Sequence, residues 1–358
     1  MENRKETNDK IVKWITDRVR SEYANDISIV AIYGSYINGT ANSKSDVDCY
    51  FIPKTDRGYE FETGFIIDGV GYDVFPMSWE RVVGIADLKE CLIPLVGDAR
   101  IIYYGDPSDL ERFRSLQIKL KNNLTDDEYV KEIAEQRCEF AKQMCDMMKV
   151  CGNMSGVRKA AGHAIMALAD AVAIYNHDYY HYGLKKQYED LKNNFKSVPE
   201  SIVTGYENVI RSQTADETKE RTLELFKNVC DCLHITVDPV LTVIPDADTV
   251  RTVSIDAPAL ARLYEEISST FNKIYVCRES GDCILAFLSA VNLQRELENA
   301  RESGCPSYDL LGSFDYKDLL KLEEQTRKAE EDFVVFIKNN GGIIRSYDDF
   351  DTFAKAGL

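Results

Sequence analysis

Gly34, Ser35, Gly39, Ser45, Asp46 and Asp48 are spaced for chemistry on a phosphate, in the run Gly34-Ser35-Tyr-Ile-Asn-Gly39-Thr-Ala-Asn-Ser-Lys-Ser45-Asp46-Val-Asp48. A Gly-Ser turn that leaves a buried strand and enters a helix presents free backbone N–H groups and a hydroxyl, the equipment that holds a phosphate. Asp46 and Asp48, two apart at the start of a strand, project from one face and can share a hard cation. Without a cation their charges repel. Asp73 stands between Tyr72 and Val74, an acid where alternation otherwise buries a side chain, and it too calls for a cation. Three carboxylates on adjacent strands beside a phosphate-holding turn would support two Mg²⁺ ions that activate an attacking oxygen and stabilise a pyrophosphate leaving group.

Such groups need a scaffold, and the flanking sequence supplies one. Ile11, Trp14, Ile15 and Val19 recur at helical spacing over residues 4–24, predicting an amphipathic helix. The β-branched run Ile27–Tyr33 stops at Gly34-Ser35 and reads as a buried strand; a second strand follows at Val47–Ile52. Asp68-Gly69 between the apolar runs of residues 64–76 predicts a two-strand hairpin that carries Asp73. Ser78 caps a helix, Ala86–Val96 continues helical, and Arg100–Tyr104 is a strand. Beyond it the periodicity is helical over 108–121, 125–151, 155–176, 184–195, 199–212 and 215–235, and again over 258–276, 280–302 and 315–339. Ile235–Ser254, with two prolines and three aspartates, reads as a connector, and Gly341-Gly342 breaks the last helix. The expected architecture is an α/β head with a mixed sheet followed by helical bundles, divided as residues 1–107, 108–235 and 236–358.

Composition bounds what the head can act on. The chain has 358 residues, 44% hydrophobic, mean hydropathy −0.30, with 43 Lys+Arg against 60 Asp+Glu and a net charge of −17. That sign repels a phosphate backbone, which disfavours nucleic acid as a partner. Residues 1–120 carry −5 and residues 121–358 carry −12, so the acid excess lies after the head. The N-terminus is polar and no apolar run reaches membrane-spanning length, so the expectation is a cytoplasmic protein with no membrane partner. Ten cysteines form no CxxC pair and read as reduced, packed thiols; Cys49 points away from Asp48 into the core.

The spacing G-S-x3-G-x5-S-D-x-D, followed by an isolated hydrophobic-Asp-hydrophobic strand, resembles the nucleotidyltransferase fold of the DNA polymerase beta superfamily. Six fixed residues at fixed spacing arise by chance at about 10⁻⁷ per start position on average composition. The resemblance covers roughly residues 10–107. The helical part is similar to antibiotic nucleotidyltransferases of the kanamycin (aminoglycoside) type, through Glu135-Gln-Arg-Cys-Glu139-Phe-Ala-Lys142 and the helix ending Ala173-Ile-Tyr-Asn-His-Asp178. Those enzymes carry a glutamate at the second metal position, where this chain has Asp48, and residues 236–358 extend past their helical domain.

What the resemblance implies is specific. Asp46, Asp48 and Asp73 would hold Mg²⁺; Gly34, Ser35 and Ser45 would hold the triphosphate of an NTP, ATP foremost; Lys142 or Lys149 would lie near it. Glu139 would take the general base's place, with Glu135 one turn earlier as its alternative. The expected reaction moves an NMP to a hydroxyl of a small, cationic, aminoglycoside-like molecule, in a monomer or homodimer. Two other readings stand beside it: a regulatory or antitoxin-type nucleotidyltransferase acting on a protein partner, and a non-catalytic nucleotide-binding module. Each residue also has a plainer reading: an Asx-rich turn for Asp46 and Asp48, a solvated helix face for Glu139, solvated lysine for Lys44. For His177 and His181 among Tyr175, Tyr179, Tyr180 and Tyr182, a packed turn is favoured over a metal or sugar site.

Overall fold

The computed structural model describes residues 2–41, 44–237 and 254–356. Asn42 and Ser43 of the motif loop, and residues 238–253 of the expected connector, lie outside the described residues. By internal contacts the chain divides into two units, a head of Met1–Asn123, Ala257–Asn272 and Ile337–Leu358, and a helical unit of Leu124–Asp256 and Lys273–Phe336.

The head begins with α1 (Glu2–Glu22), β1 (Ile27–Tyr33), α2 (Ser35–Asn38), β2 (Asp48–Pro53), β3 (Thr63–Ile67) and β4 (Val70–Pro76). It continues through α3 (Trp79–Ala86), α4 (Pro94–Gly97), β5 (Arg100–Tyr104) and α5 (Pro107–Leu124). The described strands form a mixed sheet in the order β5-β1-β2-β4-β3-β6, where β6 is Ser346–Tyr347. β2 runs parallel to β4 and β6 parallel to β3, whereas β1 is antiparallel to both its neighbours. The β3–β4 hairpin closes on Asp68 (φ 50°) and Gly69 (φ 68°), the left-handed pair that a tight two-residue turn requires.

Alternation splits the sheet into two faces. Val30, Ile32, Cys49, Phe51, Phe65, Tyr72 and Val74 point to one side and pack on Ile11, Ile15 and Val19 of α1. Cys49 therefore sits in the core, where burial pushes its thiol pKa up. Asp48, Tyr50, Asp73 and Phe75 share the other face, where the Tyr50 hydroxyl donates to the Leu95 carbonyl of α4 at 2.6 Å.

Two stretches of the chain's last third, Ala257–Asn272 and Ile337–Leu358, belong to the head, unlike the three consecutive segments expected from sequence. α11 (Ala257–Ser280) lies with its first four turns on the β3–β4 hairpin, and β6 pairs with β3. α14 (Phe350–Lys355) inserts Phe353, 1% exposed, between Trp14 and Phe65, with ring centroids at 4.9 and 4.1 Å. The helix expected to continue over Ala86–Val96 stops instead at Asp87, because Leu88 takes a left-handed φ of 54°.

The helical unit contains α6 (Asp127–Val150), α7 (Met154–Tyr175), α8 (Gln187–Asn193), α9 (Glu200–Arg211), α10 (Ala215–Leu233), α12 (Cys283–Asn299) and most of α13 (Leu320–Asn339). α7 is buried nearly throughout and rich in alanine, which lets neighbours approach closely. A Cβ at Gly162 would lie 2.4 Å from Val291 of α12. Arg137 and Asp170 form a buried ion pair between α6 and α7 at 2.6 Å. Among the described residues no helix is long and apolar enough to cross a membrane.

Candidate active site

The end of β1 and the start of β2 are opposite each other, Tyr33 pairing with Asp48. Gly34 follows with φ 73°, and a Cβ there would fall 2.0 Å from Asp48 Oδ2 and 2.8 Å from its Cγ. Only glycine fits, on both backbone and steric grounds. Its contact sets the carboxylate against the turn. Ser35 is next; it is 5% exposed and its Oγ has no hydrogen-bond partner among the described residues. In this turn the first N–H groups to reach back to Gly34 O belong to Ile37 and Asn38, at 3.2 Å each, so the Ser35 and Tyr36 amides precede the first internal bond.

Asp73 is the register neighbour of Asp48, since Cys49 pairs with Val74 in the parallel β2–β4 ladder. Its carboxyl pKa is pushed up to about 8, first by burial and then by the charges of Glu266, Glu62, Asp46 and Glu265. Tyr33 registers all three aspartates: burial raises its phenol most, followed by Asp48, Asp46 and Asp73. Tyr33, opposite Asp48 in the ladder, also lies against Tyr50, which in turn lies against Phe75.

Asp46 is held through its backbone, by residues that the motif does not contain. Asn8 of α1 donates Nδ2 to the carbonyls of Ser45 (3.2 Å) and Asp46 (3.4 Å), and its Oδ1 accepts from Tyr72 OH at 2.7 Å. Arg4 NH1 donates in turn to Tyr72 OH at 3.1 Å. The relay Arg4–Tyr72–Asn8 ties the motif loop to the strand that carries Asp73. The one sequence sign of it was a polar residue, Asn8, on the buried stripe of α1.

Could these residues hold a divalent cation? The donors are oxygens of the hard type that Mg²⁺ takes, and Ser35 leaves a buried hydroxyl without a partner among the described residues. Among the described residues no group of three or more His, Cys, Asp or Glu side chains is placed so that it could hold a metal ion, so the fit lies in the chemistry of the donors and not in a formed cage. Burial and the neighbouring acids push the Asp73 carboxyl pKa up to about 8, and a cation beside it would bring that pKa down. The donor set fits the ion.

The remaining predicted groups lie in the helical unit. Glu139 is exposed on α6 and Glu135 is half-buried one turn earlier. Lys142 and Lys149 both bridge to Asp146, at 2.5 and 2.6 Å. The histidine cluster is a turn, as the sequence suggested: α7 ends at Tyr175, His177 has φ 62° and its Nδ1 contacts the Leu124 carbonyl at 2.7 Å, and His181 pairs with Asp178.

No protein-family profile matches the chain, and no curated protein matches it. Among solved structures it is similar to a nucleotidyltransferase-like protein from Exiguobacterium sibiricum 255-15, at 12% identity, over 82% of this chain and 91% of that one. The TM-score is 0.38, too low for shared topology to carry an argument, so the reading of the site rests on its residues.

Proposed function

We propose that the chain is a Mg²⁺-dependent nucleotidyltransferase that moves an NMP, AMP foremost, from an NTP to a hydroxyl of a small cationic molecule of the aminoglycoside class. The observation that carries this reading is the constellation in the head: Gly34 pressed on Asp48, the Ser35 hydroxyl without a partner among the described residues, and Asp73 beside Asp48 by strand register, with Asp46 two residues before Asp48. Bound Mg²⁺ would supply charge stabilisation to the transferring phosphoryl group and its leaving pyrophosphate. Asp46, Asp48 and Asp73 hold it, while Ser35 and the amides beside it receive phosphate oxygens, with Ser45 and Lys142 as further contacts. Glu139 accepts the proton of the acceptor hydroxyl, with Glu135 as the alternative. The acidic helical unit draws in a cationic acceptor and repels nucleic acid.

The test follows pyrophosphate while the protein is incubated with Mg²⁺, each NTP and a panel of hydroxyl acceptors that includes aminoglycosides. Release with one NTP–acceptor pair, lost in Asp48→Ala, is the expected result. No release with any pair, or release indifferent to Asp48→Ala, overturns the reading.

A further inference from the structure

We propose that the Glu265–Arg345 pair is a positioning device for Asp73, which makes the two C-terminal stretches of the head, residues 257–272 and 337–358, part of the cation-holding apparatus; this rests on the reading of Asp46, Asp48 and Asp73 as a divalent-cation site. Glu265 of α11 is 1% exposed. Its Oε1 accepts from the Arg345 backbone N–H at 2.6 Å and from Nε at 3.3 Å, and its Oε2 from NH2 at 2.8 Å and Nε at 3.2 Å. Arg345 NH1 continues to Thr63 Oγ1 at 3.2 Å, and its carbonyl accepts from Ile66 N at 2.7 Å. One ion pair therefore fastens α11, β3 and the segment that enters β6. An ion pair with one buried partner is a poor source of stability, but a forked guanidinium–carboxylate pair fixes direction.

The pair acts on the strand that bears Asp73. Gly64 is the ladder partner of Asp73, and a Cβ there would lie 3.3 Å from Glu265 Oε2. Two residues along β4, a Cβ at Gly71 would lie 2.3 Å from the Glu265 carbonyl and 2.2 Å from Ser268 Oγ, so helix and strand touch backbone to backbone. Asn272 completes the line by donating to the Gly69 carbonyl at 2.7 Å. Among the described residues nothing hydrogen-bonds the Asp73 carboxylate. Its place relative to Asp48 is set by its strand, and the strand is set by α11.

The experiment titrates the full-length protein with Mn²⁺ alone, reading free ion by electron paramagnetic resonance, and records unfolding midpoints and folded fraction for each variant. Asp48→Ala should abolish binding. Arg345→Lys keeps the charge and loses the fork; Gly64→Ala keeps both partners and presses on Glu265 Oε2, which must give by a few tenths of an ångström. Both should weaken Mn²⁺ by about 10- to 100-fold, as losing an outer-shell partner does, and should lower kcat per folded molecule while leaving the nucleotide KM near wild type. If Asp48→Ala abolishes binding and both other variants bind Mn²⁺ as wild type does, the positioning role is wrong and the cation site stands. If Asp48→Ala binds Mn²⁺ normally, the cation reading fails and the positioning role falls with it. Should Arg345→Lys not fold, Gly64→Ala alone decides.

Discussion

In the head the candidate groups hang from strands; in the helical unit they ride on one face of α6, and the two attachments specify different things. Ladder pairing fixes Asp48 opposite Tyr33 and beside Asp73, so the head's carboxylates are neighbours by backbone register. Glu139 has no such constraint: it is exposed on α6, and its neighbours there, Lys142 and Lys149, are engaged with Asp146. Strand register therefore makes a site that can be tested by its own ligand. A helix-face acid acquires a catalytic role only through what it meets during turnover, so kinetics must test it.

The largest expected effect separates the two units most sharply. Glu139→Gln should lower kcat by about 10²- to 10⁴-fold, the contribution of a general base, while Mn²⁺ binding by the head is unchanged. If Glu135→Gln shows the loss instead, the base sits one turn earlier. If neither variant changes kcat, the chemistry belongs to the head alone and the contrast becomes one between a catalytic unit and an acceptor-binding one.

Stability should sharpen the comparison next. Phe353 is packed among Trp14, Phe65 and Tyr347 of the head, and its removal leaves a cavity inside the sheet–α1 core. Phe353→Ala should cost about 3–5 kcal/mol in denaturant unfolding. Phe140→Ala, at a solvent-exposed position of α6, should stay within about 0.5 kcal/mol. An effect of Phe353→Ala no larger than that of Phe140→Ala would mean that the C-terminal helix contributes nothing to the head.

What was legible in the sequence follows the range of the forces involved. β1, the Asp68-Gly69 hairpin and the helical stripes are signalled within a few residues, by apolar runs, turn chemistry and periodicity, and they appear where expected. The common face of Asp48 and Asp73 follows from strand alternation and register, whereas Asp46 lies in the loop before β2. The return of residues 257–272 and 337–358 to the head was not readable. β6 has two residues and no pattern, and its anchor joins Glu265 to Arg345 across 80 positions. The end of α3 was hidden as well, because Asp87-Leu88 breaks the helix without glycine or proline. Asn8 and Tyr72 escaped for another reason: their role lies in a hydrogen bond between two elements, and neither residue type announces it.

The smallest effect concerns charge left inside the head. Burial, followed by Glu266, Glu62, Asp46 and Glu265, holds the Asp73 carboxyl at a pKa of about 8 against an ordinary 3.8. Between roughly pH 4 and pH 8 the folded protein keeps a proton that the unfolded chain has lost, so stability falls as pH rises through that window and the penalty is complete above it. In the absence of divalent cations, Asp73→Asn should flatten this slope, making the variant more stable than wild type by roughly 1–3 kcal/mol at about pH 9 and similar to it at about pH 4. Millimolar Mg²⁺ should then stabilise the wild type at the higher pH and leave Asp73→Asn little changed, because an ion that binds the folded state alone adds its binding free energy to stability. The helical unit offers the control: burial raises the Asp170 pKa too, but Arg137 already occupies the place of a counter-cation beside it, so Mg²⁺ should add little there. A wild-type stability that is flat across the window without cations would show that water already compensates Asp73, and the carboxylates of the two units would then differ in position and not in charge state.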